Sequence, residues 1–165
     1  MDKTEKANKQ EIKEKNGGTI HVVLVYVYVV FFVSVVLGLL FDLFFKLDLL
    51  VNFKYSYLGI IIIIFGTTLI YLAQNASAQS RALRKEEATD EAFSFGPYKH
   101  FRHPTYLGVF LMVLGFGIVI KSTFSILFIL IAYLVVKLVF VKKEEKILEN
   151  KYGEIYLSYK NKVKM

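Results

Sequence analysis

Most of the side chains in this sequence that can take part in chemistry lie in two short polar clusters. The first runs from Gly96 to Gly108 and reads GPYKHFRHPTYLG, so it holds two histidines, an arginine and two tyrosines. The second begins at Lys142 and contains two adjacent carboxylates, Glu144 and Glu145. Guanidinium, imidazole and carboxylate groups bind charged parts of a ligand through charge-assisted hydrogen bonds. The chain has no Cys, which excludes a cysteine nucleophile and a thiolate metal site.

Several residues of the first cluster shape the backbone. The opening Gly-Pro pair predicts a turn. His103 precedes a proline and is therefore biased towards an extended backbone, while Pro104 suits the first turn of a helix. Gly108 allows another backbone or a flat ligand to approach closely.

Each polar residue of the two clusters also has a simpler interpretation when it is taken alone. Arginine and lysine beside a membrane span commonly anchor to headgroups, adjacent glutamates are commonly solvated, and a histidine before a helix commonly acts as its cap. Tyrosines on one helix face commonly serve packing or an interfacial belt. The residues open to these interpretations are Lys99, Arg102, His103, Lys142, Lys143, Glu144, Glu145, Tyr152, Tyr156 and Tyr159.

The composition predicts that membrane helices position these clusters. The 165 residues are 55% hydrophobic, and their mean hydropathy is +0.48, which favours one small membrane domain. Long Val, Ile and Leu runs exclude a disordered chain. The net charge of +7 is attributed to membrane topology and anionic lipid headgroups rather than to a nucleic-acid partner.

Four apolar runs, residues 21–41, 57–73, 106–120 and 124–141, predict an all-α integral membrane protein with about four transmembrane helices. The last two runs are short and predict a tight helical hairpin, for which a re-entrant pair is the alternative. A cytoplasmic amphipathic helix is expected to follow the hairpin. Lys137 is the one charge within these runs, which argues against an ion or substrate pathway through the membrane.

The domain prediction is a single membrane domain that covers residues 1–165. Its predicted parts are a polar N-terminal segment at 1–18, two spans within 19–73, a cytoplasmic loop at 74–105, and the hairpin with the C-terminal helix at 106–165. Of the 21 Lys and Arg residues, 17 lie in the N-terminal segment, the 74–105 loop and the tail, against 3 in the other two connections. The positive-inside rule therefore predicts a multi-pass protein with both termini in the cytoplasm.

The hairpin is expected to join the two polar clusters. With its turn near Ser122, Arg102 comes level with about Lys142, one helical turn from Glu145. Two motifs about 40 residues apart in sequence then form one site at the cytoplasmic edge of the membrane.

The paired motifs resemble the isoprenylcysteine carboxyl methyltransferase family. The resemblance rests on RHPTYLG, from Arg102 to Gly108, preceded by GPY, and on EEKILENKYGEIYLSY, from Glu144 to Tyr159. It covers about residues 81–163, and the related phospholipid N-methyltransferases share much of the pattern. Members are integral membrane enzymes, and the resemblance implies S-adenosylmethionine as the cofactor here.

The resemblance also implies roles for individual residues. Those expected to bind the cofactor are Tyr98, His103, Pro104, Tyr106, Gly108, Glu144 and Glu145. The carboxylates are expected to accept hydrogen bonds from ribose hydroxyls or the methionyl ammonium, and Tyr98 or Tyr106 to pack against adenine or the sulfonium. Arg102 and His103 are the expected catalytic residues, with Arg102 or Lys99 meeting the methionyl carboxylate. Lys137 is the candidate for contact with the substrate carboxylate. No metal is expected.

The function that the resemblance implies is methyl transfer to a lipophilic acceptor that enters from the bilayer, such as a prenylated cysteine carboxylate. Besides this acceptor, membrane lipid is the expected partner. The first alternative is N-methylation of a phospholipid amine, for which His103 or Glu145 is the candidate base because the ammonium must first lose a proton. The second alternative is a non-catalytic membrane scaffold.

Overall fold

The computed structural model describes residues 3–45, 56–86 and 93–163, and these ranges form helices and short connections without a strand. A 3-10 turn at Gly96–Lys99 precedes the third helix, and a π-helical segment at Val136–Val141 joins the fourth to the fifth. The helices are α1 (Lys3–Phe45), α2 (Ser56–Glu86), α3 (Pro104–Val119), α4 (Thr123–Val135), α5 (Lys142–Tyr152) and α6 (Glu154–Lys162). The prediction of an all-α fold is confirmed.

Three helical stretches are long and apolar enough to cross a membrane, namely Val22–Phe45, Ser56–Arg81 and Thr123–Tyr152. The remaining apolar helix, α3, has 16 residues and extends about 24 Å, less than a hydrocarbon core of about 30 Å. The prediction of about four membrane helices therefore corresponds to three of spanning length and one shorter helix. Large apolar side chains such as Phe32 and Phe44 are exposed on α1, as in a protein whose solvent is lipid.

The first two helices extend further than the apolar runs predict. α1 already begins at Lys3, within the polar N-terminal segment. α2 continues to Glu86, 13 residues past Ala73, into the segment where the sequence predicts a loop at 74–105. The physical reason is that Thr67 to Glu86 contains neither Gly nor Pro and is rich in good helix formers.

α2 and α3 pack backbone against backbone through glycines. A Cβ on Gly108 would lie 2.9 Å from the carbonyl oxygen of Gly66, and a Cβ on Gly66 would lie 2.7 Å from that of Gly108. Gly59 and Gly115 form a second such pair, with both distances at 2.6 Å. Small residues let membrane helices approach closely, so dispersion contacts rather than a hydrophobic effect hold this pair together.

α1 packs chiefly on α4 and fixes the end of the predicted hairpin. Lys121 takes a positive φ of 57° in the turn, and Ser122 accepts a hydrogen bond from Ser125 N as the cap of α4. Asp42 of α1 accepts hydrogen bonds from the Ser122 hydroxyl and from Phe124 N. A carboxylate thus satisfies amide and hydroxyl donors at a helix start, where anions are favoured.

The C-terminal helix is divided into two parts. α4, the π-helical segment and α5 form one continuous helix, which ends at Gly153 with φ at 57°. α6 begins immediately afterwards and turns back to pack on the segment before α3, where Phe93 contacts Tyr156 and Tyr159. Glycine adopts this positive φ without the penalty that a side chain imposes.

Candidate functional site

The two polar clusters meet where α3 begins beside α5. Arg102 Nη1 donates to Glu145 Oε1 at 2.8 Å. One turn into α3, the Tyr106 hydroxyl donates to Glu144 Oε2 at 2.5 Å. The structure therefore brings together the motifs that the hairpin is predicted to join. We refer to Arg102, His103, Tyr106, Glu144 and Glu145 as the carboxylate cluster.

His103 lies between the two carboxylates. Its Nδ1 is 3.5 Å from Glu144 Oε2, and its Nε2 is 3.5 Å from Glu145 Oε1. The imidazole ring stacks parallel to the Tyr106 ring, with the centroids 5.6 Å apart and an interplanar angle of 4°. The histidine thus contacts both acidic side chains and the aromatic ring of the cluster.

The local backbone directs this ring towards α5. His103 has φ −128° and ψ 61°, outside the helical region, and Pro104 opens α3 directly after it. A residue before proline is disfavoured in the helical region, so this break is expected from sequence. His103 occupies the N-cap position of α3, as its simpler interpretation has it, but its side chain makes no capping hydrogen bond.

The π-helical segment Val136–Val141 sets which face of α5 meets α3. A π-turn holds one residue more than an α-turn, so it rotates everything after it by about 100° relative to an uninterrupted α-helix. Glu145 is buried after this rotation, whereas its neighbours Lys143 and Lys146 are exposed. The acidic side of α5 therefore faces Arg102 because of an irregularity in the helix before it.

Lys160 of α6 is a member of the site that the sequence did not reveal. Its Nζ lies 3.0 Å from Glu145 Oε2 and 2.5 Å from Glu149 Oε1. Its position depends on the direction that the chain takes after Gly153, and no spacing rule gives that direction. Glu145 consequently pairs with Arg102 through one oxygen and with Lys160 through the other.

An aromatic cluster fixes α6 beside the segment that leads into α3. Phe93 contacts the rings of Tyr152, Tyr156 and Tyr159 at centroid distances of 4.9, 5.7 and 5.7 Å. The Tyr159 hydroxyl donates to the backbone oxygen of Tyr98 at 2.9 Å. These three tyrosines of α5 and α6 therefore serve packing, the simpler of their two interpretations.

The two carboxylates control the charge on His103. Burial would lower the pKa of this imidazole, but Glu144 and Glu145 outweigh it and raise the pKa to about 9. The ring is therefore cationic at neutral pH. Contacts with Glu149 and Glu145 likewise raise the pKa of Lys160. Together with Lys160, the carboxylate cluster holds two anions and three cations near the start of α3.

Two nitrogens of this cluster are buried without a hydrogen bond to the described residues. Arg102 Nε and His103 Nε2 make no hydrogen bond within the described parts of the chain. A buried polar atom is normally satisfied, and an unsatisfied one is costly, so each such atom calls for an explanation. Both donors are suited to an incoming acceptor such as a carboxylate or a hydroxyl oxygen.

The other residues singled out from sequence lie outside this network. Pro104 is fully buried beneath the site. Gly108 contacts the backbone of α2, which is one of the two approaches that the sequence allowed. Tyr98 is half-buried and close enough to influence Tyr106 electrostatically. Lys137 is exposed in the π-helical segment, about two helical turns from Glu144. The described ranges hold no group of three or more potential metal ligands in an arrangement that suits a metal ion.

Comparison with known proteins gives one match. A model of the family described as phospholipid methyltransferase matches residues 55–155, more than half of the chain. The matched range contains both polar clusters up to α5 and the first residues of α6. No curated protein and no solved structure matches the chain.

Proposed function

The chain belongs to the phospholipid methyltransferase family, and we propose that it transfers a methyl group from S-adenosylmethionine to a lipophilic acceptor within the membrane. The observation that carries this proposal is the carboxylate cluster, where 2.8 Å separates Arg102 Nη1 from Glu145 Oε1. A site of opposite charges beside an α-helix start fits a zwitterionic amino-acid group. The apolar helices around it admit an acceptor directly from lipid.

The residues present fit the methyl donor. Glu144 and Glu145 accept hydrogen bonds from an ammonium or from ribose hydroxyls, while Arg102 Nε and His103 Nε2, which make no hydrogen bond to the described residues, donate to a carboxylate. Tyr98, which is half-buried, offers a ring face to an adenine or a sulfonium, whereas one face of the Tyr106 ring is already stacked on His103. Pro104 and Gly108 shape the start of α3 beneath these side chains.

When bound, S-adenosylmethionine supplies an electrophilic methyl group to the acceptor. Residues of this chain then contribute positioning and exclusion of water, which lower the barrier when a cationic donor and an anionic acceptor lose charge together. Tyr106 is 3% exposed, so it closes the floor of the site to water. Arg102 orients the anionic groups.

The charge state of His103 supports an acceptor that is already anionic. With its pKa near 9, the ring holds a proton at neutral pH and does not remove one from an ammonium. A carboxylate of the prenylcysteine type needs no such base. Lys137 reaches from the lipid-facing side of the helix and supplies a cation for the acceptor's carboxylate.

The family match favours a second candidate, N-methylation of a phospholipid amine. This reaction requires a base, and His103 or Glu145 would have to accept the proton. Its rate should then rise with pH as the base loses its proton, whereas O-methylation of a carboxylate should depend little on pH near neutrality. The pH profile therefore separates the two acceptors.

The proposal includes the topology. Both termini are placed in the cytoplasm, because 17 of the 21 Lys and Arg residues lie in the segments that this orientation leaves inside. The carboxylate cluster then faces the cytoplasmic edge, where S-adenosylmethionine is supplied.

Calorimetric titration of the detergent-purified protein with S-adenosylmethionine is the test. Saturable binding by the wild type that Glu145→Ala and His103→Ala lose supports the proposal. Labelled methyl transfer to a prenylcysteine or to phosphatidylethanolamine in vesicles then identifies the acceptor. A folded wild type that does not bind contradicts the proposal and leaves the scaffold role. In a scaffold, Glu145→Ala should change only stability.

A further inference from the structure

Lys160 places an ammonium group directly on the carboxylate proposed to receive the ligand's ammonium. Its Nζ lies 3.0 Å from Glu145 Oε2. Glu145 Oε1 is already taken by Arg102 Nη1 at 2.8 Å. The two cations together occupy both oxygens, so an ammonium from outside meets a carboxylate that is already paired.

The two cations differ in how easily they leave Glu145. The Arg102 side chain is 15% exposed and ends in a rigid, planar guanidinium. The Lys160 side chain is 30% exposed and carries its ammonium on a flexible alkyl chain. Lys160 also has a second acceptor, Glu149 Oε1, at 2.5 Å. Its ammonium can therefore release Glu145 and stay paired with Glu149, without any movement of α6.

We infer that Lys160 competes with the ligand for Glu145. Its ammonium group pairs with this carboxylate until the ammonium of an incoming ligand displaces the Lys160 ammonium onto Glu149. This inference rests on the proposed function, because it assumes a ligand with an amino-acid group. An internal ligand lowers the fraction of molecules that are competent to bind and so weakens the apparent affinity. Removing Lys160 should therefore tighten binding, whereas removing a residue that contacts the ligand should weaken it.

The experiment compares Lys160→Gln with the wild type by calorimetry, using two nucleosides. S-adenosylhomocysteine carries the amino-acid group, and 5′-methylthioadenosine lacks it. Lys160→Gln should bind S-adenosylhomocysteine about three- to tenfold more tightly, with 5′-methylthioadenosine unchanged. Lys146→Gln is the control, since Lys146 directly follows Glu145 in α5 but is exposed, and its loss changes the net charge equally.

Glu149→Gln provides a second test, in which the expected change in affinity for S-adenosylhomocysteine has the opposite sign. Without Glu149, Lys160 has Glu145 as its remaining carboxylate partner in the described structure, so S-adenosylhomocysteine should bind more weakly. In the Lys160→Gln background the same substitution should have little effect, because the two residues act through one contact. An additive loss in both backgrounds contradicts the competitor role and indicates that Glu149 acts on the ligand directly.

The outcomes separate the inference from the proposed function. If the wild type binds S-adenosylhomocysteine and Lys160→Gln binds it equally or more weakly, the inference is wrong and the proposed function stands. If the folded wild type and Lys160→Gln bind neither nucleoside, both fail. Tighter binding of both nucleosides to Lys160→Gln, or to Lys146→Gln as well, overturns the inference in favour of a general charge effect.

Discussion

Arg102 Nη1 lies 2.8 Å from Glu145 Oε1, although 43 residues separate the two in sequence. Their contact joins the segment before α3 to α5 and so connects the two halves of the candidate site. Both side chains are largely buried, at 15% and 10% exposure. A paired charge in such a place costs more to break than an exposed pair does, because the remaining partner stays desolvated.

Substituting Arg102 should therefore affect stability and binding together. Arg102→Gln leaves Glu145 with Lys160 and removes one charge-assisted hydrogen bond, so the free energy of unfolding should fall by about 1–3 kcal/mol. Arg102→Lys should recover part of this stability but not the affinity for S-adenosylmethionine, because lysine lacks the planar guanidinium and its Nε. Unfolding in detergent and calorimetry with S-adenosylmethionine measure the two effects. Equal affinity of Arg102→Lys and the wild type for S-adenosylmethionine would exclude a specific role for the guanidinium of Arg102.

The glycine contacts between α2 and α3 predict a packing effect apart from the chemistry. In Gly66→Ala the new Cβ would lie 2.6 Å from Met112 N. The helices must separate to admit it, and overpacking of this kind costs about 1–3 kcal/mol. In Gly117→Ala the nearest atom would be a side-chain carbon of Ile126 at 3.1 Å, so this control should lose less. Thermal unfolding of both variants in one detergent decides the comparison. A loss in Gly117→Ala as large as that in Gly66→Ala would contradict the backbone contact.

The π-helical segment predicts that the site tolerates the deletion of one residue there but not of two. Deleting Leu138, which is exposed, removes the extra residue of the π-turn, so the segment can relax to an α-helix while α5 keeps the same face towards α3. Deleting Val139 as well, which is also exposed, rotates α5 by about 100°. Glu144 and Glu145 then turn away from α3, so the affinity for S-adenosylmethionine should fall by at least about tenfold in the double deletion, while helix content measured by circular dichroism is retained. Binding that survives the double deletion would show that α5 is positioned by other contacts.

The sequence predicts the elements of this site better than their precise contacts. Arg102 and Glu145 are expected to meet because an antiparallel hairpin needs only its turn position and a rise per residue to set the register. Neither Gly nor Pro marks the π-helical segment at Val136–Val141, so periodicity alone does not reveal the rotation that it produces. Lys160 escapes prediction for a related reason, since its place depends on the angle at Gly153.

Two further features show where sequence patterns leave a choice open. Gly108 suits either a ligand or a backbone, and the partner glycine that decides for the backbone, Gly66, lies on another helix. The tyrosines of α5 and α6 suit either a ligand face or packing. Phe93, which decides for packing, lies in a polar stretch where no periodic pattern singles it out.

The charge on His103 predicts a pH dependence of stability. Its pKa in the folded protein is about 9, above the value of about 6.5 for an unperturbed histidine. The folded state therefore binds more protons than the unfolded state between these two values, and the stabilisation is complete below about pH 6.5 and lost as the pH rises through about 9. The unfolding midpoint of the wild type should consequently fall between about pH 6.5 and about pH 9.5. In His103→Gln this part of the decline should be absent.

His100→Gln is the matched control for this measurement. His100 precedes His103 by three residues and is exposed, so the same substitution there removes an imidazole without disturbing the carboxylate cluster. The difference between the profiles of the wild type and His103→Gln then isolates the buried imidazole from other groups that titrate at high pH. A difference that stays constant between about pH 6.5 and about pH 9.5, or that narrows as the pH falls, would mean that the two carboxylates do not hold the proton on His103. His103 would then be available as a base at neutral pH, and the amine acceptor would become the stronger candidate.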